Sequence, residues 1–262
     1  MNPALKTAAT GMAAQQTRTE VIANNLANVN TTGFKRSRAQ FEDLLYQTMQ
    51  GPQVLGSSES NTAPAIQVGR GTRLSGIQRL HSQGALEQTG RSLDVAIDGE
   101  GFFPVQMAGG QTAYTRDGSF QISDQGVLVT SDGYQIGSGI KIPEDVTDVT
   151  ISATGVVSAS KGPGSEAQEL GRIELARFAN PSGLQSMGQN IYAATPASGE
   201  ATTGYPQDDG MGRLVQGQLE GSNVEIVQEM VDMISAQRAY ELNSKAVKAA
   251  DEMSQTATEM IR

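Results

Sequence analysis

Hydrophobic and polar positions follow two different periods along the 262-residue chain. Between residues 3 and 29, Leu5, Ala8, Met12, Ile22, Leu26 and Val29 recur at a and d heptad spacing, with Gln15 and Thr19 as polar interruptions. That spacing, Pro3 in a first turn and Gly33 after "NTT" predict an amphipathic helix. A second stripe starts at Asn223, which the pattern marks as an N-cap. It runs through Val224, Val227, Val231, Ile234, Ala239, Leu242, Ala246, Ala249, Met253 and Met260, and no Pro or Gly interrupts residues 222–262. About 38 helical residues would reach roughly 57 Å, too long to stand without a neighbouring helix or an assembly.

Between the ends the period drops to two. "LDVAID" (93–98) alternates strictly, and "GFFPVQ", "TAYT", "GSFQI", "GVLVT" and "GYQI" follow as short strands between turns. Asp98-Gly99, Asp117-Gly118 and Asp132-Gly133 carry hairpin chemistry. The fold class expected is α+β: a discontinuous coiled-coil domain from the terminal helices (1–38 with 220–262) around an all-β barrel or sandwich (85–219). Residues 39–84 read as a linker whose Gly/Pro/Ser-rich stretch 51–71 is an extended insertion.

Charge links the two ends. Residues 1–38 hold five basic side chains against Glu20 alone, whereas residues 220–262 hold eight acids against four bases. Opposite net charges favour the two segments lying together. The first segment has few large apolar groups, so it is expected to order on assembly rather than alone.

The remaining composition removes function classes. A net charge of −9 argues against generic nucleic-acid binding. Cysteine is absent and His81 is the sole histidine, so thiolate and multi-histidine metal sites are excluded. No phosphate-binding glycine loop or nucleophile elbow occurs. Asp94, Asp98, Glu100, Asp117, Asp124 and Asp132 could supply a glycan-cleaving carboxylate pair or a calcium site, but turn chemistry beside glycine explains most of them. The expectation is no catalytic residue, no metal and no cofactor. The first twenty residues lack the apolar run of a secretory signal, and no stretch is long and apolar enough for membrane insertion.

"IANNLANVNTTGFKR" (22–36) resembles the amino-terminal signature of the axial proteins of the bacterial flagellum, its rod and hook subunits. "GSNVEIVQEMVDMISAQRAYELNSKAV" (221–247) is similar to their carboxyl-terminal signature. "LDVAIDGEGFFPVQ" and "AYTRDGSFQISDQGVLVTSDGY" are similar to their central β region. Chain length, residues 51–71 and "GLQSMGQNIY" (183–192) resemble the distal-rod members. Proximal rod or hook subunits are the nearest alternatives within the family; a periplasmic glycan-binding or glycan-cleaving β protein is the alternative outside it.

The resemblance implies a structural homo-oligomer: a rigid helical tube, helices inside and β domains outside, transmitting torque from motor to hook. Implied partners are proximal rod proteins, hook or hook–rod junction proteins, a surrounding ring bushing and the flagellar export apparatus. The implied location is the distal rod crossing the periplasm, reached without a cleaved signal. Expected subunit-interface residues are Leu5, Met12, Ile22, Asn24, Asn25, Leu26, Asn28, Val29, Val227, Val231, Ile234, Arg238, Tyr240, Leu242 and Asn243. Asn24, Asn25 and Asn28 are expected to fix register between neighbouring helices as neutral amides, with Asn30 helping to end the helix. Residues 51–71 are expected to bridge subunits along the axis as an extended or hairpin-like piece.

Overall fold

Where the sequence predicts terminal helices, the computed structural model has α1 (Pro3–Ala27) and α2 (Ile226–Met260). It describes residues 3–50, 53–54, 62–63, 65–107, 109–137, 139–143, 145–146, 148–161, 168–208 and 210–260. The chain divides into two units: residues 1–26, 37–78 and 225–262 form the first, and residues 27–36 and 79–224 the second. The fold is α+β, with a helix at each end of a strand-rich centre.

After α1 the chain turns at Asn28, whose carbonyl accepts the Thr31 amide and whose Oδ1 accepts the Thr31 hydroxyl, each at 3.2 Å. Asn28 therefore begins the termination expected of Asn30. Gly33 completes the turn at φ +69°, where a side chain would be strained. At the other end α2 has 35 residues, about 52 Å at the helical rise. It starts two residues later than an Asn223 cap implies, because the Asn223 amide is engaged elsewhere, as shown below.

The first unit contains both helices and a set of antiparallel strands. β1 (Ser37–Asp43) pairs with β6 (Thr72–Arg79). Between them β2 (Tyr46–Gln50) pairs with β5 (Ile66–Gly69) in the register Tyr46↔Gly69, and β3 (Gln53–Val54) pairs with β4 (Thr62–Ala63). The described residues between 46 and 69 thus form a ribbon. Of the expected 51–71 insertion, residues 51, 52, 55–61 and 64 lie outside the described residues. The base of the ribbon meets α1 through Thr10, whose hydroxyl accepts the Thr72 amide at 3.3 Å. Only glycine fits at position 71, since a Cβ there would stand 2.1 Å from that hydroxyl.

The second unit is built on a seven-stranded antiparallel sheet. Its order is Phe120–Ile122, Leu128–Thr130, Gln135–Ile136, Phe103–Gln106, Thr112–Thr115, Ile191–Ala193 and Gln185–Gly188. Val95–Asp98 pairs with Arg213–Gln216, and Leu86–Gln88 with Gln218–Glu220. Val95, Ile97, Phe103, Phe120, Leu128, Val157, Leu175 and Leu214 form one core; Phe102, Tyr114, Ala176, Phe178 and Tyr192 form another. Among the described residues there is no closed barrel. The large sheet ends in two edge strands, so the barrel expectation is corrected to open sheets.

Of the three Asp-Gly pairs, Asp132-Gly133 alone joins hydrogen-bonded neighbours, between Leu128–Thr130 and Gln135–Ile136. The other two serve close approach. Asp98 bonds Arg213, and a Cβ on Gly99 would lie 2.8 Å from Gly212 Cα. A Cβ on Gly118 would lie 1.7 Å from the Val95 carbonyl oxygen.

Gly118→Ala is therefore expected to destabilise the chain by about 3 kcal/mol or more. Gly76→Ala, in a strand with nothing within 4 Å of the added carbon, should be neutral or stabilise by about 0.5 kcal/mol. Urea unfolding of the two variants checks this; equal midpoints would show that the Val95 backbone yields.

Candidate assembly interface

The two helices run antiparallel, and polar contacts mark their seam. Asn25 is only 1% exposed. Its Nδ2 donates to the Ser37 carbonyl at 2.8 Å and to Glu229 Oε2 at 3.2 Å, while its Oδ1 accepts the Ser37 amide at 2.9 Å. Arg18 Nη2 reaches Asp232 Oδ1 at 3.1 Å. Gly11 faces Asn243, where a Cβ would be 2.9 Å from the amide nitrogen. Ala236 is fully buried and Ala250 nearly so. Small and polar residues thus form this seam.

The large apolar side chains of α2 point away from it. Val227 is 70% exposed and Leu242 66%, and Met230, Val231, Ile234 and Tyr240 are exposed as well. The stripe read from the sequence is present, but from Val227 to Met260 most of it lies on open surface. Among the residues expected at an interface, Asn24 and Arg238 are also exposed. Leu5, Met12, Leu26, Asn28, Val29 and Asn243 are half-buried, and Ile22 is buried. Within the chain, the Asn25 amide is engaged by the Ser37 backbone, which uses both of its polar atoms.

The second unit holds a charged cluster that the sequence reading missed. Lys35 Nζ donates to Glu220 Oε1 at 2.5 Å and to the Ser82 carbonyl at 2.8 Å. Arg116 Nη1 donates to Glu220 Oε2 at 3.1 Å, and the Gly84 amide adds a bond to Oε1 at 2.9 Å. The Lys35 and Glu220 side chains have no exposed surface. Burial holds the Lys35 ammonium below its ordinary pKa, although the Glu220 carboxylate opposes that shift. Beside the cluster, the Asn223 amide accepts the Arg36 backbone N–H at 2.6 Å and donates to the Leu80 and Ser82 carbonyls. Asn223 is thus a clip between backbone segments, and not a helix cap. The signal available in sequence was a lysine beside Phe34 in "GFKR" and a lone acid in "LEGSN".

His81 packs edge-on against Phe102 and Tyr192 at 5.6 and 5.5 Å. Among the described residues its ring nitrogens have no hydrogen-bond partner. Burial first, then the charges of Lys35, Arg116 and Arg79, push its pKa down to about 4. Four of the six acids considered for chemistry are separately engaged. Asp94 accepts the Thr89 hydroxyl, Asp98 pairs with Arg213, Glu100 with Arg177, and Asp117 accepts the Ser119 amide. Among the described residues no group of three or more potential ligands gathers to hold a metal ion. No described helix is long and apolar enough to cross a membrane.

Three family models match the chain. They are "Flagella basal body rod protein" at residues 5–35, "Flagellar hook protein FlgE/F/G D1 domain" at 96–159 and "Flagellar basal body rod FlgEFG protein C-terminal" at 215–260. The chain is 49% identical over 255 residues to the flagellar basal-body rod protein FlgG of Borreliella burgdorferi, covering 97% of this chain and 96% of that one. It is 47% identical over 258 residues to FlgG of Caulobacter vibrioides, covering 98% of each. With FlgF of Caulobacter vibrioides it shares 35% over 246 residues, covering 92% and 91%.

Replacing Glu220 by Gln leaves Lys35 and Arg116 as uncompensated buried cations and should lower stability by about 3–5 kcal/mol; Lys35→Met, which leaves Glu220 paired with Arg116, should cost less. The double variant should lose less than the sum, as a double-mutant cycle by urea unfolding would show; simple additivity would mean that the pair is not coupled. His81 makes a separate pH prediction. The unfolded ring takes up its proton near pH 6.5 and the folded ring only near 4, so stability is full above 6.5. It falls as the pH drops through that window, by about 3 kcal/mol once both states are protonated. His81→Phe should remove that part of the slope; an unchanged slope would assign it to other groups.

Proposed function

The chain belongs to the flagellar basal-body rod protein family and is a structural subunit of the distal rod; from that premise we propose that it polymerises through its helical unit into a rigid tube that transmits torque from motor to hook. The larger identity to FlgG than to FlgF of the same organism supports the distal over the proximal position. The observation that carries the mechanism is the outward apolar face of α2. Val227, Met230, Val231 and Ile234 are each at least half exposed on a helix about 52 Å long. A contiguous apolar surface of this kind marks an association site. In the assembled tube these residues, with Leu242 and Tyr240, pack against helices of neighbouring subunits as in a coiled coil.

The ribbon of β2 and β5 supports the second part of the proposal. It exposes Leu45, Tyr46, Met49, Ile66 and Val68, and a two-stranded ribbon is marginal in water without a covering partner. We infer that residues 51–71 extend this ribbon to bridge subunits along the axis and stiffen the tube. The finer partners follow the same reading: proximal rod proteins below, hook or junction proteins above and a ring bushing around the outside. The subunit reaches the periplasm through the flagellar export apparatus without cleavage of a signal.

Val231→Asp combined with Ile234→Asp should leave monomer helicity unchanged and abolish sedimenting polymer, as read by circular dichroism and ultracentrifugation. Polymer formation equal to wild type would sink the α2 assignment. Deleting residues 51–64 should permit assembly but give a more flexible product in electron micrographs. A product as straight and rigid as wild type would refute the bridging role.

A further inference from the structure

A groove of about 450 Å³ lies between the two helices of the first unit, lined by Gln16, Thr19, Glu20 and Ala23 from α1 and by Gln237, Tyr240 and Glu241 from α2. Ala23 and the exposed ring of Tyr240 give it apolar surface, and Glu20 and Glu241 line it with two carboxylates. Glu20 accepts only a bond from the Gln16 amide at 3.1 Å. Glu241 is exposed and has no ion pair among the described residues. The groove thus joins some apolar surface to two carboxylates and has no cation among its lining residues.

A complementary surface exists on the same chain. Val231, Ile234 and Arg238 follow one another at three- and four-residue spacing, so they form one ridge along the outer face of α2. The first two are apolar and about half exposed. Arg238 is exposed and, like Glu241, has no ion pair among the described residues. The order along the ridge, two branched apolar groups and then a cation, matches a groove that joins apolar surface to two carboxylates.

We infer that the occupant of this groove is the Val231–Ile234–Arg238 ridge of a second copy of the chain. The inference rests on the polymerisation reading above and specifies its contact. Ile234 enters the groove against Ala23 and the Tyr240 ring, and Arg238 meets Glu20 and Glu241. Ridge and groove adjoin on α2 but share no residue, and in this contact the ridge of one copy fills the groove of the next. The contact is therefore heterologous: each copy has a free ridge at one side and a free groove at the other. Such a contact propagates into an open helix or a ring, whereas a two-fold contact would stop at a dimer.

The test uses two full-length variants and their mixture. Arg238→Glu places an acid opposite the two carboxylates of the next copy. Glu20→Lys with Glu241→Lys places two bases opposite Arg238. Each variant alone should form polymer only at a protein concentration about tenfold above that needed by wild type. Mixed in equal amounts they should co-polymerise at the wild-type concentration, because alternating copies restore an attractive pair at every contact. A salt bridge within one chain cannot be rescued by mixing, so recovery reports the contact between copies. Normal polymerisation of each variant alone, or no recovery on mixing, would overturn the ridge-in-groove contact while leaving the polymerisation reading intact. Failure of the wild-type chain itself to polymerise would overturn both. Unchanged helicity of each monomer by circular dichroism separates loss of contact from loss of fold.

Discussion

The second unit depends on one buried cluster, the Glu220 carboxylate held between Lys35 and Arg116. Lys35 stands where the chain enters the strand-rich unit after α1, and Glu220 where it leaves toward α2. Burying these charges costs several kcal/mol per ion, so the cluster adds little net stability over an apolar replacement. What it provides is uniqueness. Each Glu220 oxygen has an identified donor, and the Ser82 carbonyl takes the Lys35 ammonium. A slip of either segment by one residue would strand a charge without a partner. The backbone agrees: the Gly33 amide bonds the Glu220 carbonyl at 2.7 Å, and the Asn223 amide holds residues 36, 80 and 82.

How much of this was legible in the sequence follows from how local each signal is. The helices were readable because their apolar spacing repeats over many turns, and the hairpin at Asp132-Gly133 because two residues specify it. Asp98-Gly99 and Asp117-Gly118 carry the same letters, but their glycines answer a different demand, the approach of Gly212 and of the Val95 carbonyl. Those neighbours are distant in sequence. Asn223 resembled a cap for the same reason: its partners at residues 36, 80 and 82 are invisible to a local reading. Open sheets and a barrel share one alternation along each strand and differ only in how the edges meet.

The asparagines of "NNLANVN" show the same limit within the helical unit. Crowding poor helix formers near a helix end signals that their amides are needed, and Asn25 and Asn28 both use theirs. Asn25 satisfies both polar groups of the Ser37 backbone and reaches Glu229. Within the chain it fixes the start of β1 beside the end of α1. Asn28 ends the helix by receiving Thr31. The opposite charges of the two termini meet in Arg18–Asp232, which is partly exposed and worth at most about 1 kcal/mol. The buried amide and the close fit at Gly11 and Ala236 therefore matter more to this seam than net charge does.

Polarity is distributed over α2 in the reverse of an ordinary surface helix. Glu229, Asp232 and Asn243 face the seam, while Val227, Val231 and Ile234 face outward. A helix that gained its stability only within one chain would place these groups the other way round. A polar seam needs its partners in one geometry, because a shifted register leaves buried groups unpaired. An apolar outer face tolerates many partners, so it cannot supply that register itself. The division is consistent with a subunit whose own fold is fixed first by directional bonds and whose association is then driven by non-directional burial. Specificity at the outer face must come from charge placed at its margin, and Arg238, one turn beyond Ile234, is so placed.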